Sequence, residues 1–290
     1  MTAYGVVVDV LTELTFPGGG TTTLHVARSV SESDPMALVL PAMGVPAAFY
    51  GPLLDGLAAN GVTAVVADFP GQGGSRPLAA RDHDYGYAAL ATKFVPRVLQ
   101  ASRTELGHRL TVLLGHSLGG QVAVVAAAAE RDIADALVLV AAGTPHWRVF
   151  ERRLGWEVLV QTQAVGAVAR ANGYWPGERF GFGGRQPRRL MSEWAHLART
   201  GAFLLHGMPD VDAAIASIEL PVLAIDVAND QFAPASSVEA LVAKLAAAPV
   251  ERQHFARETG RPLDHLGWVR SSDGVAVEIC EWVRSTLDGH

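Results

Sequence analysis

Short apolar runs recur along this chain, and segments with helical spacing lie between them. Residues 36–40, 62–67, 110–114, 137–141, 222–227 and 250–255 read as strands. Runs of this length, apolar on both faces, are expected of parallel strands buried in a sheet. Residues 49–59, 85–105, 119–129 and 236–247 have the length and periodicity of helices. The first thirty residues favour β structure, with 6–15 and 21–29 flanking the turn signal Pro17-Gly18-Gly19-Gly20. This β/α alternation predicts an α/β fold, a mostly parallel central sheet flanked by helices.

One segment breaks the rhythm. About 80 residues separate the strand ending near Ala141 from the one starting near Pro221, far more than a plain crossover needs. Four of the six tryptophans (Trp147, Trp156, Trp175 and Trp194) fall there, with nine arginines from Arg148 to Arg199. Residues 151–171 and 188–200 look helical, with glycine-rich 172–187 between them. The division expected is a core made of 1–144 and 216–290, with 145–215 inserted as a helical cap or lid. The arginines are read as a solvated helix face or as a surface for an acidic acyl group.

Composition narrows the class. Apolar residues make up 49% and charged residues 18% of 290, which suits a sizeable core and argues against disorder. The net charge is −6 with no basic block, so nothing points to nucleic acid or an anionic membrane. The lone Cys280 excludes an internal disulfide and a cysteine-rich metal site. No run is long and apolar enough for a membrane span. The N-terminal residues read as strand, not as a signal peptide, so the cytoplasm is the expected location. Asp82-His83-Asp84 is read as a solvated loop, because adjacent side chains in a loop rarely converge on one ion. Gly71–Gly74 lacks the G-K-[S/T] of a phosphate loop. No metal or cofactor is expected.

The stretch Gly-His-Ser-Leu-Gly, residues 115–119, matches G-x-S-x-G. With 30 glycines and 13 serines, chance alone supplies roughly 0.14 such matches, so its setting must decide. Ser117 falls where strand 110–114 gives way to helix 119–129, the strand–turn–helix context of a nucleophile elbow. Small residues at 115 and 119 let the turn close, and the helix N-terminus aims unpaired N–H groups beside the serine. A serine hydroxyl needs a base in hydrogen-bond reach, and the base needs an orienting acid. Asp230, just past strand 222–227, is the expected acid, with Asp226 as the alternative inside the strand. His265, in a loop after the last strand, is the expected base. His254 lies within a strand and His290 at the terminus. His116 is expected to pack or to make a supporting bond. The oxyanion donors expected are the backbone N–H groups of Leu118 and Met43.

With these residues in place, the chain resembles the α/β-hydrolase superfamily over essentially its whole length. Residues 67–75, ADFPGQGGS, resemble the D-x-x-G-x-G-x-S loop after the fourth strand. PAMGV, GYWPGERFGFGG, EWAHLAR and DHLGWVR resemble a bacterial group of predicted α/β-hydrolases with a helical cap. Pro41-Ala42 stands where that superfamily commonly has His-Gly. The resemblance implies a serine hydrolase, carboxylesterase- or thioesterase-like, without a cofactor; it stops at the chemistry. The aromatic residues of the cap favour an apolar acyl or aryl group, so a small, largely apolar ester or thioester is expected. Acyl transfer by the same triad and non-catalytic ligand binding are the competing readings. The oligomeric state, a homo-oligomer included, stays open.

Overall fold

The computed structural model describes residues 8–17, 19–107, 109–256 and 263–287; His290, weighed above as a base, lies outside them. Eight strands form one sheet in the order β1-β2-β4-β3-β5-β6-β9-β10. They are β1 (Asp9–Thr15), β2 (Thr21–Ala27), β3 (Met36–Leu40), β4 (Thr63–Ala67), β5 (Thr111–His116), β6 (Ala136–Val140), β9 (Val222–Val227) and β10 (Val250–Phe255). From β4 to β10 every pairing is parallel; β1 and β2 join antiparallel at the other edge. β3, β4, β5, β6 and β9 are buried along their whole length, as their largely apolar runs require.

The pleat sends alternate side chains to two separate cores. Leu38, Val65 and Leu113 face α3 (Val95–Leu106) and α4 (Leu118–Ala129). Val39, Val66 and Leu114 face α1 (Gly51–Ala59), the short α9 (Gly267–Arg270) and α10 (Asp273–Leu287). α3 is entered through the short α2 (Tyr87–Ala89) and a π turn at Leu90–Phe94, and α8 (Ala235–Val242) follows β9. Two cores on opposite faces of one sheet are what a doubly covered parallel sheet demands.

Two elements depart from the sequence expectations. β10 is not apolar on both faces: Glu251, Arg252 and His254 are exposed, because this is an edge strand whose outer neighbour is solvent. The segment 172–187 is not merely a glycine-rich link. It holds a two-stranded hairpin, β7 (Tyr174–Pro176) against β8 (Arg185–Pro187). Around it lie α5 (Arg152–Asn172), α6 (Arg188–Thr200) and α7 (Val211–Ala216). α5 and α6 pack along each other at Gly166, where an added Cβ would lie 2.9 Å from that of Ala195.

The inserted segment is bound to the core by buried polar ties. Asp84 is not a solvated loop residue. Its carboxylate accepts from Arg188 Nη2 at 2.8 Å and from the Arg189 N–H at 2.8 Å, and its side chain is 9% exposed. Glu193, buried on α6, accepts from the backbone N–H groups of Tyr87 and His206 at 2.9 and 3.1 Å. Arg185 donates to the Ala79 carbonyl at 2.6 Å while its guanidinium lies over the Tyr174 ring. The guanidinium of Arg185 is therefore engaged within the fold, and that of Arg188, though 42% exposed, is paired with Asp84. Among the described residues, no helix is long and apolar enough to cross a membrane.

Candidate active site

The serine sits at the point of sharpest turning. Ser117 has φ 54° and ψ −116°, a left-handed conformation that a non-glycine residue holds only at a cost of about 1–3 kcal/mol. What holds it there is the closeness of strand to helix. A Cβ on Gly115 would fall on the backbone of Gly120, and one on Gly119 would fall on the Leu40 carbonyl. Gly119→Ala is therefore expected to lower stability by about 1–3 kcal/mol or more, since backbone cannot step aside as a side chain can. A lowered urea midpoint at constant m-value checks it; an unchanged midpoint would mean the two elements stand further apart.

The structure brings Ser117, His265 and Asp230 together. Ser117 Oγ lies 2.9 Å from His265 Nε2, and His265 Nδ1 lies 2.7 Å from Asp230 Oδ2. A carboxylate oxygen can only accept, so Nδ1 carries the proton and Nε2 is free to accept from the serine. Asp230's side chain is fully buried, and its Oδ1 accepts from the N–H groups of Phe232 and Ala233 at 2.8 and 2.9 Å. Asp226, the alternative acid, is bonded instead to His254 Nδ1, and that pair has no contact with Ser117.

His265 is held from behind by a network that sequence reasoning captured only in outline. His116 Nε2 lies 2.8 Å from the His265 carbonyl, which can only accept, and 3.3 Å from the Trp268 Nε1–H, which can only donate; the much shorter carbonyl contact places the hydrogen on Nε2. Its Nδ1 then accepts from Tyr50 OH at 2.8 Å, and Tyr50 OH itself accepts from the Ala42 N–H at 2.8 Å. His116 is wholly buried, and that burial first, then the neighbouring His265, keeps its pKa well below the ordinary 6.5. It stays neutral in the folded chain at neutral pH. Unfolding frees it to take a proton below about pH 6.5, so stability falls on acidification from there toward the depressed folded value, by up to about 1.4 kcal/mol per pH unit. The slope of stability against pH below 6.5 should flatten in His116→Gln. An identical slope in both chains would show that His116 titrates alike folded and unfolded.

The backbone donors follow the same logic. The N–H of Ala42 is taken by Tyr50 and that of Gly44 by Gln72 Oε1 at 2.6 Å. Between them, the Met43 N–H has no acceptor among the described residues, and neither does the Leu118 N–H at the start of α4. Gln72 belongs to the glycine-rich loop after β4. Asp68 of that loop accepts from the N–H groups of Ala47 and Gly74 at 2.6 and 2.8 Å. One loop thus braces the other. The supporting roles of Gln72 and Tyr50 were not foreseen; the only sequence signal was the D-x-x-G-x-G-x-S pattern itself.

A cavity of about 200 Å³ lies in front of Ser117, bordered by Met43, Leu118, Gln121, Phe182 and His265. The inserted segment supplies Phe182, carried between Gly181 and Gly183, both at positive φ. A Cβ on Gly44 would fall on the Gly183 backbone, so the segment approaches the Met43 loop backbone to backbone.

A family model described as alpha/beta hydrolase fold matches residues 40–174. No curated protein matches. Solved structures match over nearly the whole chain. The thioesterase domain from the curacin biosynthetic pathway is 16% identical, with TM-score 0.60, covering 94% of this chain and 99% of its own. A hydrolase from Pseudomonas aeruginosa PA01 is 21% identical, with TM-score 0.59, covering 96% and 98%. The enol-lactonase from Burkholderia xenovorans LB400 is 14% identical, with TM-score 0.58, covering 94% and 99%. At such identities likeness speaks to architecture alone, and on that ground this chain is an alpha/beta hydrolase-fold protein.

Proposed function

We propose that the protein is a serine hydrolase that cleaves a carboxylic ester or thioester of a small, largely apolar substrate. The observation that carries this reading is the unbroken relay from Ser117 through His265 to Asp230, opening on a cavity with two unengaged backbone donors. The thioesterase and enol-lactonase names among the structural neighbours support acyl chemistry of this kind.

Ser117 Oγ attacks the substrate carbonyl carbon while its proton passes to His265 Nε2. The carbonyl electron pair moves onto oxygen, and the oxyanion is held by the N–H groups of Met43 and Leu118. The tetrahedral species collapses, the bond to the leaving oxygen or sulfur breaks, and His265 returns its proton to that atom. Water then attacks the acyl-enzyme with His265 as base, and the acid leaves as Ser117 recovers its proton. Asp230 holds the imidazole in the required tautomer and stabilises the imidazolium. Residues 145–215 act as a cap that closes over the cavity through Phe182 and Trp194. The test is labelling with a fluorophosphonate: wild type takes the label and Ser117→Ala does not. Equal labelling of both, or none of wild type, sinks the reading.

A further inference from the structure

The 200 Å³ cavity is not the only space at the site. Beside it lies an apolar groove of about 600 Å³, and the two share Pro145, Phe182, Trp194 and Phe232 as walls. One side of the groove is α5, which presents Leu154, Val158, Val165 and Val168 at intervals of four, seven and three residues. That spacing places them on one helical face. The face is left without a protein partner at its ends: Leu154 and Val168 are each 36% exposed, and Phe180 opposite is 62% exposed. No charged side chain borders the groove among the described residues.

The two spaces differ in size and in their relation to His265. The inner cavity falls below the ~300–1,000 Å³ typical of sites for drug-sized ligands, and the groove falls within it. At ~30 Å³ per water, the inner space equals the share of about seven waters, room for a short chain beside a carbonyl. One of its walls is Gln121, which is held in place by donating to the Gly143 carbonyl and accepting from Tyr87 OH. The groove meets the inner cavity at Phe232. Phe232 lies against the His265 ring, tilted at 43° with centroids 5.3 Å apart, and stacks on Phe182 at 6.3 Å. His265 Nε2 must reach the leaving atom to protonate it. Phe232 borders both spaces and lies beside the His265 ring, so a portion extending from the leaving atom has a route past it into the groove.

We propose that the site divides its substrate unequally: a short acyl group in the inner cavity and a bulky, uncharged, apolar alcohol or thiol portion in the α5 groove. This rests on the serine-hydrolase reading and assigns the substrate class within it. A leaving group bearing phosphates gains nothing from a groove without cations.

Two isomeric esters separate the two ends. Hexyl butyrate and ethyl octanoate have the same atoms and differ only in where the carbonyl sits. Hexyl butyrate is expected to exceed ethyl octanoate in kcat/KM by about tenfold or more, because only the first puts its six-carbon chain in the groove. Leu154→Asp places a charge at the exposed rim, where folding tolerates it. It should reduce kcat/KM on hexyl butyrate about fivefold more than on ethyl butyrate. Preference for ethyl octanoate, or equal losses on both butyrates, overturns the division of the site while leaving the hydrolase reading intact. A readout independent of turnover is 1-hexanol binding to Ser117→Ala, followed through the fluorescence of Trp175 and Trp194. If no ester is cleaved, the hydrolase reading fails, and hexanol binding weakened by Leu154→Asp still upholds the groove. Absence of that binding overturns it.

Discussion

Replacement of Ser117 by alanine is expected to lower kcat on a butyrate ester by about 10⁶-fold while leaving the fold in place. The size of the loss follows from how the three side chains act as one unit. Without Oγ, His265 has no proton to take and the acyl-enzyme cannot form, so Asp230 and the imidazole have nothing left to assist. A remnant of roughly 10³–10⁴ over water should persist, because the Met43 and Leu118 N–H groups still polarise a bound carbonyl. Stability should barely change. The Ser117 hydroxyl bonds only to His265 among the described side chains, and alanine carries the same backbone strain at φ 54°. Kinetics with a urea melt on the same preparation check both halves. Undiminished turnover in a folded Ser117→Ala would end the serine mechanism. Ligand binding unaffected by the substitution, with no turnover of any ester by wild type, would favour a non-catalytic binding protein on this fold.

Much of the scaffold was legible from the chain because its signals are local. Buried parallel strands must be apolar on both faces, so β3, β4, β5, β6 and β9 announced themselves within a residue or two. The elbow was legible for the same reason, since a strand, a tight turn and a helix lie in consecutive sequence. Asp230 and His265 could be chosen because each lies in a loop after a strand. Features built by distant partners were not legible. Asp84 and Arg188 meet across 104 positions, and Gln72 reaches Gly44 across 28; no periodicity marks either pair. Three-residue strands such as β7 and β8 are too short for an alternating pattern to emerge. β10 misled in the opposite way, because an edge strand's outer face carries polar residues and its neighbour order is invisible in sequence. The groove beside α5 was equally hidden. Its apolar stripe reads like any helix face turned toward a core, and only the packing shows that part of it faces open space.

Asparagine at Asp230 is expected to cost about 10⁴-fold in kcat, with little loss of structure. The structure also holds a rival, since Asp226 and His254 form a second acid–imidazole pair on β9 and β10. The geometry predicts opposite outcomes for the two. In Asp230→Asn the amide cannot choose its orientation freely. The position of Oδ1 receives two backbone N–H groups, from Phe232 and Ala233, and only the amide oxygen can accept them. The NH₂ is then forced toward His265 Nδ1, where the carboxylate oxygen had been. It donates to that nitrogen, the ring proton moves to Nε2, and Nε2 can no longer accept from Ser117. Turnover and fluorophosphonate labelling should fall together, because both need the serine proton removed. Asp226→Asn breaks a pair whose histidine is 57% exposed and has no contact with Ser117, so kcat should stay within about twofold of wild type. A loss at Asp226 as large as that at Asp230 would reassign the acid. A loss at Asp230 alone ties the chemistry to the residue that two backbone donors hold in place.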